Sequence, residues 1–187
     1  MSKKKETFEK FHNRIRTRNW FTPDAPELNL WERQWVFVYG TLKKDCERGS
    51  VLDPKDYVGT FRTEYPRYLL KYAGGNKLGE GYPVALKHWI GEASVVKDYE
   101  KGYLMGEMYN VSPGTIARLD TIEGNGFLFR REYCSFVHME DNFRSYDAWC
   151  YFGLPAEFPA EVLSDKRVLG YRSSKLGSHM YHFCRPT

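Results

Sequence analysis

The sequence places one carboxylate, that of Glu123, where its position in a helix should change its pKa. Glu123 lies in the segment LDTIEG (119–124), in the last turn of a helix predicted over 113–123. Because the helix macrodipole is negative at that end, a carboxylate there is disfavoured by about 0.3–1 kcal/mol, which raises its pKa. A raised pKa suits a general base that must also return its proton. The alternative is a solvated surface glutamate that tolerates its position.

A second candidate for a functional segment is YGTLK at 39–43. There an apolar run ends in Gly40 and the small hydroxylated residue Thr41. Glycine permits a positive φ and lets a ligand approach the main chain closely. Successive N–H groups in such a turn can form an anion-binding concavity. The alternative is an ordinary turn at the end of a strand, and this short motif alone does not decide between the two.

No motif for a nucleophilic side chain or a nucleotide accompanies these two segments. The sequence contains no GxSxG, no P-loop and no GxGxxG. Its five histidines form neither HExxH nor a zinc-finger spacing, so we expect no metal and no cofactor. Catalysis by this chain would therefore use one carboxylate and backbone donors, without a covalent intermediate.

The residues around these segments predict a fold rich in strands. The chain contains 14 Tyr, 12 Phe and 5 Trp, and this aromatic content favours strands over helices. The run at 35–39 is apolar and aromatic throughout, which predicts a fully buried strand. Further strands are predicted at 57–64, 66–72, 82–86, 92–96, 103–111, 132–138 and 145–152. Seven or eight strands with short connections favour a small barrel or a curled sheet.

One helix stands out among these strands, and it carries Glu123. Ser112 is a good N-cap, and Pro113 suits the first helical position, where its missing N–H costs nothing. Apolar residues then recur at three-residue spacing at Ile116, Leu119 and Ile122. Gly124 is expected to end the helix in a left-handed conformation. The helix is therefore predicted over 113–123.

The basic charge of the chain is concentrated at its N-terminus. Residues 1–20 hold seven Lys/Arg and two Glu, whereas the other 167 residues hold 21 basic and 22 acidic ones. We predict a basic extension at 1–34, made of a short helix and a Pro-containing linker, followed by one domain at 35–187. The extension is either a docking helix that covers part of the domain or a basic arm for nucleic acid, acidic lipid or a protein partner.

The same sequence features indicate the compartment. No apolar run approaches the ~20 residues that a membrane helix needs, and the N-terminal lysines are not followed by the apolar stretch of a secretory signal. The four cysteines are widely spaced, which favours reduced thiols over two disulfides. We therefore expect a cytoplasmic protein without a membrane partner.

Five short motifs, taken in order, resemble the γ-glutamylcyclotransferase superfamily, and most closely its γ-glutamylamine cyclotransferase-like branch. VYGTLK at 38–43 is similar to the strand and loop that open that branch, and LDTIE at 119–123 is similar to its LDxxE segment. YP at 82–83, GEMY at 106–109 and FRR at 129–131 resemble further motifs in register, the last of them in part. The resemblance covers residues from about 35 to about 185.

The resemblance implies an α+β fold, a small mixed β-barrel with flanking helices. It implies an enzyme that cyclises the γ-glutamyl group of a γ-glutamyl amine, such as γ-glutamyl-lysine, to 5-oxoproline and releases the free amine. Glu123 matches the catalytic acid/base of the family. The residues that the resemblance places at the substrate are Tyr39, Gly40, Thr41, Leu42, Tyr82, Pro83 and Phe129. Phe129 replaces the usual Tyr, a departure that bears on specificity.

The alternative function is a binding module that keeps the barrel but turns over no substrate. In that case the basic segment 1–20 contacts nucleic acid or a protein partner, whereas the enzyme hypothesis requires only a small-molecule γ-glutamyl substrate. The uneven charge and the replacement at Phe129 motivate this alternative. The presence of Glu123 favours catalysis.

Overall fold

A computed structural model of the protein describes residues 27, 29–46, 48–65, 68–73, 82–87, 102–141, 144–154 and 156–158. The predicted N-terminal helix and most of its linker lie outside these residues, as does the strand predicted at 92–96. Within the described part of the chain, no helix has the length and apolar character needed to cross a membrane.

Seven strands and one α-helix form the regular structure of the described residues. The strands are β1 (Gln34–Val38), β2 (Tyr57–Thr63), β3 (Tyr68–Ala73), β4 (Tyr82–Lys87), β5 (Met105–Val111), β6 (Phe129–His138) and β7 (Ser145–Gly153). The helix, α1, spans Pro113–Glu123. Two short 3-10 turns, Gly49–Val51 and Pro54–Asp56, lie between β1 and β2.

Five of these strands close into a barrel in the order β1-β5-β2-β6-β7. Its pairings are antiparallel except at the closing seam, where β1 runs parallel to β7 and Val36 pairs with Trp149. β3 and β4 form a separate antiparallel pair. The predicted mixed β-barrel is confirmed.

β1 is buried on both of its faces, as its continuous apolar run predicts. One face joins a core cluster with members from all five barrel strands, among them Phe37, Phe61, Met108, Phe136 and Cys150. The other face places Val36 and Val38 in a second cluster with Ile116 and Leu119 of α1. Each fully buried side chain of this size stabilises the fold by about 1.5–3 kcal/mol. The strand that leads into the YGTLK segment is therefore firmly held.

The bounds of α1 are those that the sequence predicts. The Ser112 side chain accepts a hydrogen bond from the Thr115 N–H at 3.2 Å, which satisfies one of the unpaired donors of the first turn. Gly124 has φ 58° and ψ 49°, a left-handed conformation that favours glycine, and its N–H bonds back to the last turn. These two caps make Glu123 the last residue of the helix.

Strand β6 begins three residues earlier than the sequence predicts, at Phe129 and not at residue 132. The strand predicted at 132–138 leaves the two arginines at 130 and 131 outside it. In the structure Arg130 forms an ion pair with the buried Glu132, and Arg131 forms one with Asp120 of α1. These contacts allow the charged residues to lie within a strand.

No disulfide joins Cys46, Cys134 and Cys150, the cysteines of the described residues, to one another. Cys184 lies outside the described residues.

Candidate active site

A cavity of about 140 Å³ opens where the end of β1, the loop after it, the start of β4 and the end of α1 meet. All eight residues that the sequence analysis places at a site line this cavity. They are Tyr39, Gly40, Thr41, Leu42, Tyr82, Pro83, Glu123 and Phe129. Six further lining residues were not predicted: Phe37, Val38, Arg48, Ile122, Leu128 and Tyr151. The fold thus brings together segments that lie more than eighty residues apart in the sequence.

Glu123 is a half-buried carboxyl whose acidity is strongly altered by its position. Burial raises its pKa from 4.5 to about 7, and the nearby Arg48 guanidinium opposes that rise. No described residue donates a hydrogen bond to this carboxylate. The helix macrodipole alone predicts a raised pKa for Glu123, whereas in the structure the loss of water around the carboxyl is the main cause. At neutral pH this group can both accept and donate a proton.

The loop after β1 has three consecutive main-chain donors with no acceptor among the described residues. No described residue accepts a hydrogen bond from the N–H groups of Gly40, Thr41 and Leu42. The next N–H, of Lys43, donates to the Gly40 carbonyl at 3.1 Å. The loop lines the cavity, so these N–H groups can bind an oxyanion or a carboxylate.

A buried acid holds the same loop from the barrel side. Glu107 on β5 is fully buried, and its carboxylate accepts a hydrogen bond from the Lys44 N–H at 2.8 Å. The Tyr109 hydroxyl donates to the same oxygen at 2.8 Å. These bonds fix the position of the loop relative to the barrel, which is what a set of preorganised main-chain donors requires.

Gly40 is required by close packing, not by an unusual backbone conformation. Its φ is not positive, in contrast to Gly124 and Gly126, so the φ > 0 that the sequence analysis considers for it is not found. A Cβ added to Gly40 would lie 2.8 Å from Cγ of Pro83. Pro83 on β4 therefore approaches the loop so closely that a side chain at residue 40 would force the ring or the loop to shift.

The side chain of Tyr39 joins three strands. Its hydroxyl donates to the Tyr151 carbonyl on β7 at 2.9 Å and accepts a hydrogen bond from the Ala85 N–H on β4 at 3.1 Å. Although Tyr39 lines the cavity, its hydroxyl is already engaged with the main chain. Its contribution to the site is therefore to hold β1, β4 and β7 together at the cavity wall.

The end of α1 is fixed by a polar network around Asp120. This carboxylate accepts hydrogen bonds from the Tyr151 hydroxyl at 2.7 Å, the Asn125 amide at 3.0 Å and the Arg131 guanidinium at 2.6 Å. Burial nevertheless raises the pKa of Asp120, and Arg131 opposes that rise. The network ties the turn that bears Glu123 to β6 and β7. No sequence motif indicates Tyr151, because only its position across the barrel brings it to Asp120.

Aromatic side chains form another part of the cavity wall. Tyr82 is exposed, whereas Phe129 is buried, and their ring centroids lie 6.3 Å apart. Phe158 contacts both rings, at 6.4 Å from Tyr82 and 5.5 Å from Phe129. This side of the cavity is apolar, and it offers contact area to the hydrocarbon part of a ligand.

The family model described as gamma-glutamyl cyclotransferase, AIG2-like, matches residues 36–172, and the chain belongs to this family. It is 28% identical over 120 residues to a protein of Methanocaldococcus jannaschii with the provisional name gamma-glutamylcyclotransferase, an alignment of 64% of this chain and 83% of that protein.

Solved structures show the same fold. An AIG2-like protein of Mus musculus superposes with a TM-score of 0.55 at 19% identity, over 83% of this chain and 99% of that one. A protein of Arabidopsis thaliana, solved in solution, superposes with a TM-score of 0.51 at 20% identity, over 72% of this chain and 77% of that one. The family of the chain and its fold are thereby established.

Proposed function

We propose that this protein converts a γ-glutamyl amine, of the γ-glutamyl-lysine kind, to 5-oxoproline and the free amine. The observation that carries the proposal is the arrangement of the cavity. A half-buried carboxyl with a pKa of about 7, Glu123, shares one cavity of about 140 Å³ with three N–H groups that donate to no acceptor in the described residues. Membership of the gamma-glutamyl cyclotransferase, AIG2-like family supports the same reaction class.

The first half of the reaction needs a base and an oxyanion site. The α-ammonium group of the substrate has a reference pKa of about 8, so it must lose a proton before its nitrogen can attack. Ionised Glu123 takes that proton. The free amine then attacks the γ-carbonyl carbon, a C–N bond forms, and the N–H groups of Gly40, Thr41 and Leu42 stabilise the oxyanion. Because the nucleophile belongs to the substrate, proximity is supplied by closure of a five-membered ring.

The second half of the reaction returns the proton. Protonated Glu123 donates it to the departing nitrogen, and the original amide C–N bond breaks as the carbonyl re-forms. The ring nitrogen loses its second proton, and the released amine gains one, so atoms and charge balance without a co-reactant. No covalent enzyme intermediate is needed.

The other lining residues would shape the pocket around the substrate. We assign the apolar wall of Tyr82, Pro83 and Phe129 to contact with hydrocarbon parts of the substrate, since these side chains line the cavity. Phe129 has no hydroxyl, so it contributes area and no hydrogen bond. The wide spacing of the four cysteines in the sequence favours a reducing compartment, and we propose that the activity is cytoplasmic.

Mass-spectrometric detection of 5-oxoproline tests the reaction directly. The panel contains ε-(γ-glutamyl)lysine, γ-glutamyl amino acids, γ-glutamyl polyamines and glutathione. We expect the wild-type protein to release 5-oxoproline from at least one member and Glu123→Gln to lose about 10²–10⁴-fold, the usual contribution of a general acid/base. Glu140→Gln, in the exposed turn after β6, is the matched control and should retain activity. Full release by a folded Glu123→Gln protein would contradict the role of this residue.

A second candidate function is a binding module without turnover. The concentration of seven Lys/Arg within residues 1–20, on a chain that is otherwise nearly neutral, favours a basic arm for nucleic acid or a protein partner. Under this proposal the chain divides into an extension at 1–34 and a domain at 35–187. Gel-shift titrations with and without residues 1–34, at several salt concentrations, test it. Equal binding by both proteins would eliminate the arm.

A further inference from the structure

Two exposed side chains mark the opening of the cavity. Among its described lining residues, only Arg48 and Tyr82 are exposed, and the others are buried or half-buried. Glu123 is half-buried, so it lies further from solvent than these two side chains. The cavity thus has an inner part with the carboxyl and an opening bordered by a guanidinium and an aromatic ring.

Arg48 is held at this opening by the loop that supplies the main-chain donors. Its N–H donates to the Thr41 carbonyl at 2.9 Å. A Cβ added to the next residue, Gly49, would lie 2.4 Å from the Lys44 carbonyl oxygen, so the chain closes tightly at this point. The backbone of Arg48 is therefore fixed relative to the loop, whereas its side chain lines the cavity and is exposed, so a ligand can reach it.

The position of Arg48 relates it to one part of a γ-glutamyl substrate. The scissile carbonyl must lie between Glu123 and the loop for the proposed reaction to occur. The amine that leaves must be able to escape, so it points towards the opening. Arg48 is the one basic side chain among the described lining residues, so it gives the opening a positive charge.

We propose that Arg48 is a specificity-determining residue that binds a carboxylate carried by the leaving amine. The preferred substrates are then γ-glutamyl amines whose amine part is an amino acid or a peptide. Guanidinium and carboxylate groups form charge-assisted, commonly bidentate hydrogen bonds, and a purely cationic amine at the same place meets a like charge. Tyr82, the other exposed lining residue, offers apolar contact to the hydrocarbon part of that amine. This inference rests on the proposed cyclotransferase function.

Two pairs of substrates that differ only by one carboxylate test the inference. The pairs are γ-glutamyl-alanine with γ-glutamyl-ethylamine, and ε-(γ-glutamyl)lysine with γ-glutamyl-cadaverine. For each protein, kcat/KM is measured for the member with the carboxylate, here called the acid, and for its carboxylate-free analogue, and the first value is divided by the second. The pair used is the one that the wild-type protein turns over faster. One hydrogen-bonded ion pair predicts a wild-type ratio of about ten- to hundredfold.

Variants of Arg48 assign that ratio to the guanidinium. At a pH above the acid limb of both proteins, where Glu123 is ionised in each, Arg48→Gln should lower the ratio to about one, through loss on the acid alone, because a carboxamide offers no positive charge. Arg48→Lys keeps a point charge and should give a ratio above that of Arg48→Gln. Arg118→Gln removes another exposed arginine, on α1 and outside the cavity lining, and should keep the wild-type ratio.

Each other outcome overturns the inference. An unchanged ratio in a folded Arg48→Gln protein would show that another group reads the carboxylate. If Arg48→Gln lowered kcat/KM equally for both members of a pair, Arg48 would bind the α-carboxylate of the γ-glutamyl group, which both members share, or would support the fold. If the wild-type protein releases 5-oxoproline from none of the four compounds, the proposed function fails together with the inference. Turnover without a wild-type preference removes only the inference.

Discussion

The replacement of Glu123 by glutamine should change the stability of the protein in a way that depends on pH. In the folded state burial raises the pKa of this carboxyl from 4.5 to about 7. Below pH 4.5 the group is protonated in both folded and unfolded chains, so it has little effect on stability. Between pH 4.5 and about 7 the folded chain holds the proton that the unfolded chain has lost. Above pH 7 both are ionised, and the folded state bears the full cost of a buried charge.

The magnitude follows from the two pKa values. One pKa unit is worth about 1.36 kcal/mol, so ionisation of Glu123 costs the folded state about 1 kcal/mol at pH 5 and about 3 kcal/mol at pH 8. Glutamine has nearly the same shape and does not titrate. The unfolding free energy of Glu123→Gln minus that of the wild-type protein should therefore increase by about 2–3 kcal/mol from pH 5 to pH 8.

Urea unfolding followed by tryptophan fluorescence measures this difference. Wild-type and Glu123→Gln proteins are unfolded at pH 5 and pH 8, and the free energies are compared within each pH so that other titrating groups cancel. Glu140→Gln, in the exposed turn after β6, is the control and should track the wild-type protein at both values. A stability difference between Glu123→Gln and wild type that is the same at both pH values would refute the assignment of a raised pKa to burial.

Two further predictions follow from the geometry of the cavity. In the pH profile of the wild-type protein, kcat/KM should decrease as the pH is lowered through about 7, not near 4.5, because Glu123 must be ionised to accept a proton. Arg48→Gln should move this decrease to higher pH, since Arg48 lowers the pKa of Glu123. Gly40→Ala should destabilise the protein by about 1–3 kcal/mol in urea unfolding, because its Cβ would lie 2.8 Å from the Pro83 ring. Gly114→Ala on α1, where the nearest atom would lie at 3.7 Å, is the control and should be neutral or stabilising. Equal effects at the two glycines would contradict the close-packing argument.

The elements that local signals determine could be predicted from the sequence. The bounds of α1 follow from a capping side chain, an N-terminal proline and a terminal glycine, all within the helix or next to it. The buried strand β1 follows from its apolar run, and its end at Val38 places the loop where the sequence indicates it. The candidate site residues were predicted from family motifs, and the fold brings these motifs to one cavity.

The remaining features depend on contacts between distant parts of the chain. Nothing near Gly40 in the sequence indicates that the Pro83 ring packs against it, and nothing near Tyr39 indicates that its hydroxyl bonds to β4 and β7. Arg48 is an exposed loop residue without periodic neighbours, so no local pattern distinguishes it from other surface arginines. The early start of β6 likewise depends on partners, Glu132 and Asp120, that neutralise its two arginines.

The closing seam between β1 and β7 has a consequence for the kinetics of folding. The bond from the Tyr39 hydroxyl to the Tyr151 carbonyl spans 112 residues of sequence, and closing so long a loop is slow compared with the formation of a helix or a hairpin. Tyr39 and Tyr151 both line the cavity, so a chain whose β7 has not yet docked against β1 has an incomplete cavity. During refolding from urea, secondary structure should return before ligand binding and turnover do. Recovered turnover then measures the fraction of molecules in which the barrel has closed. Circular dichroism measures only the secondary structure, which returns earlier.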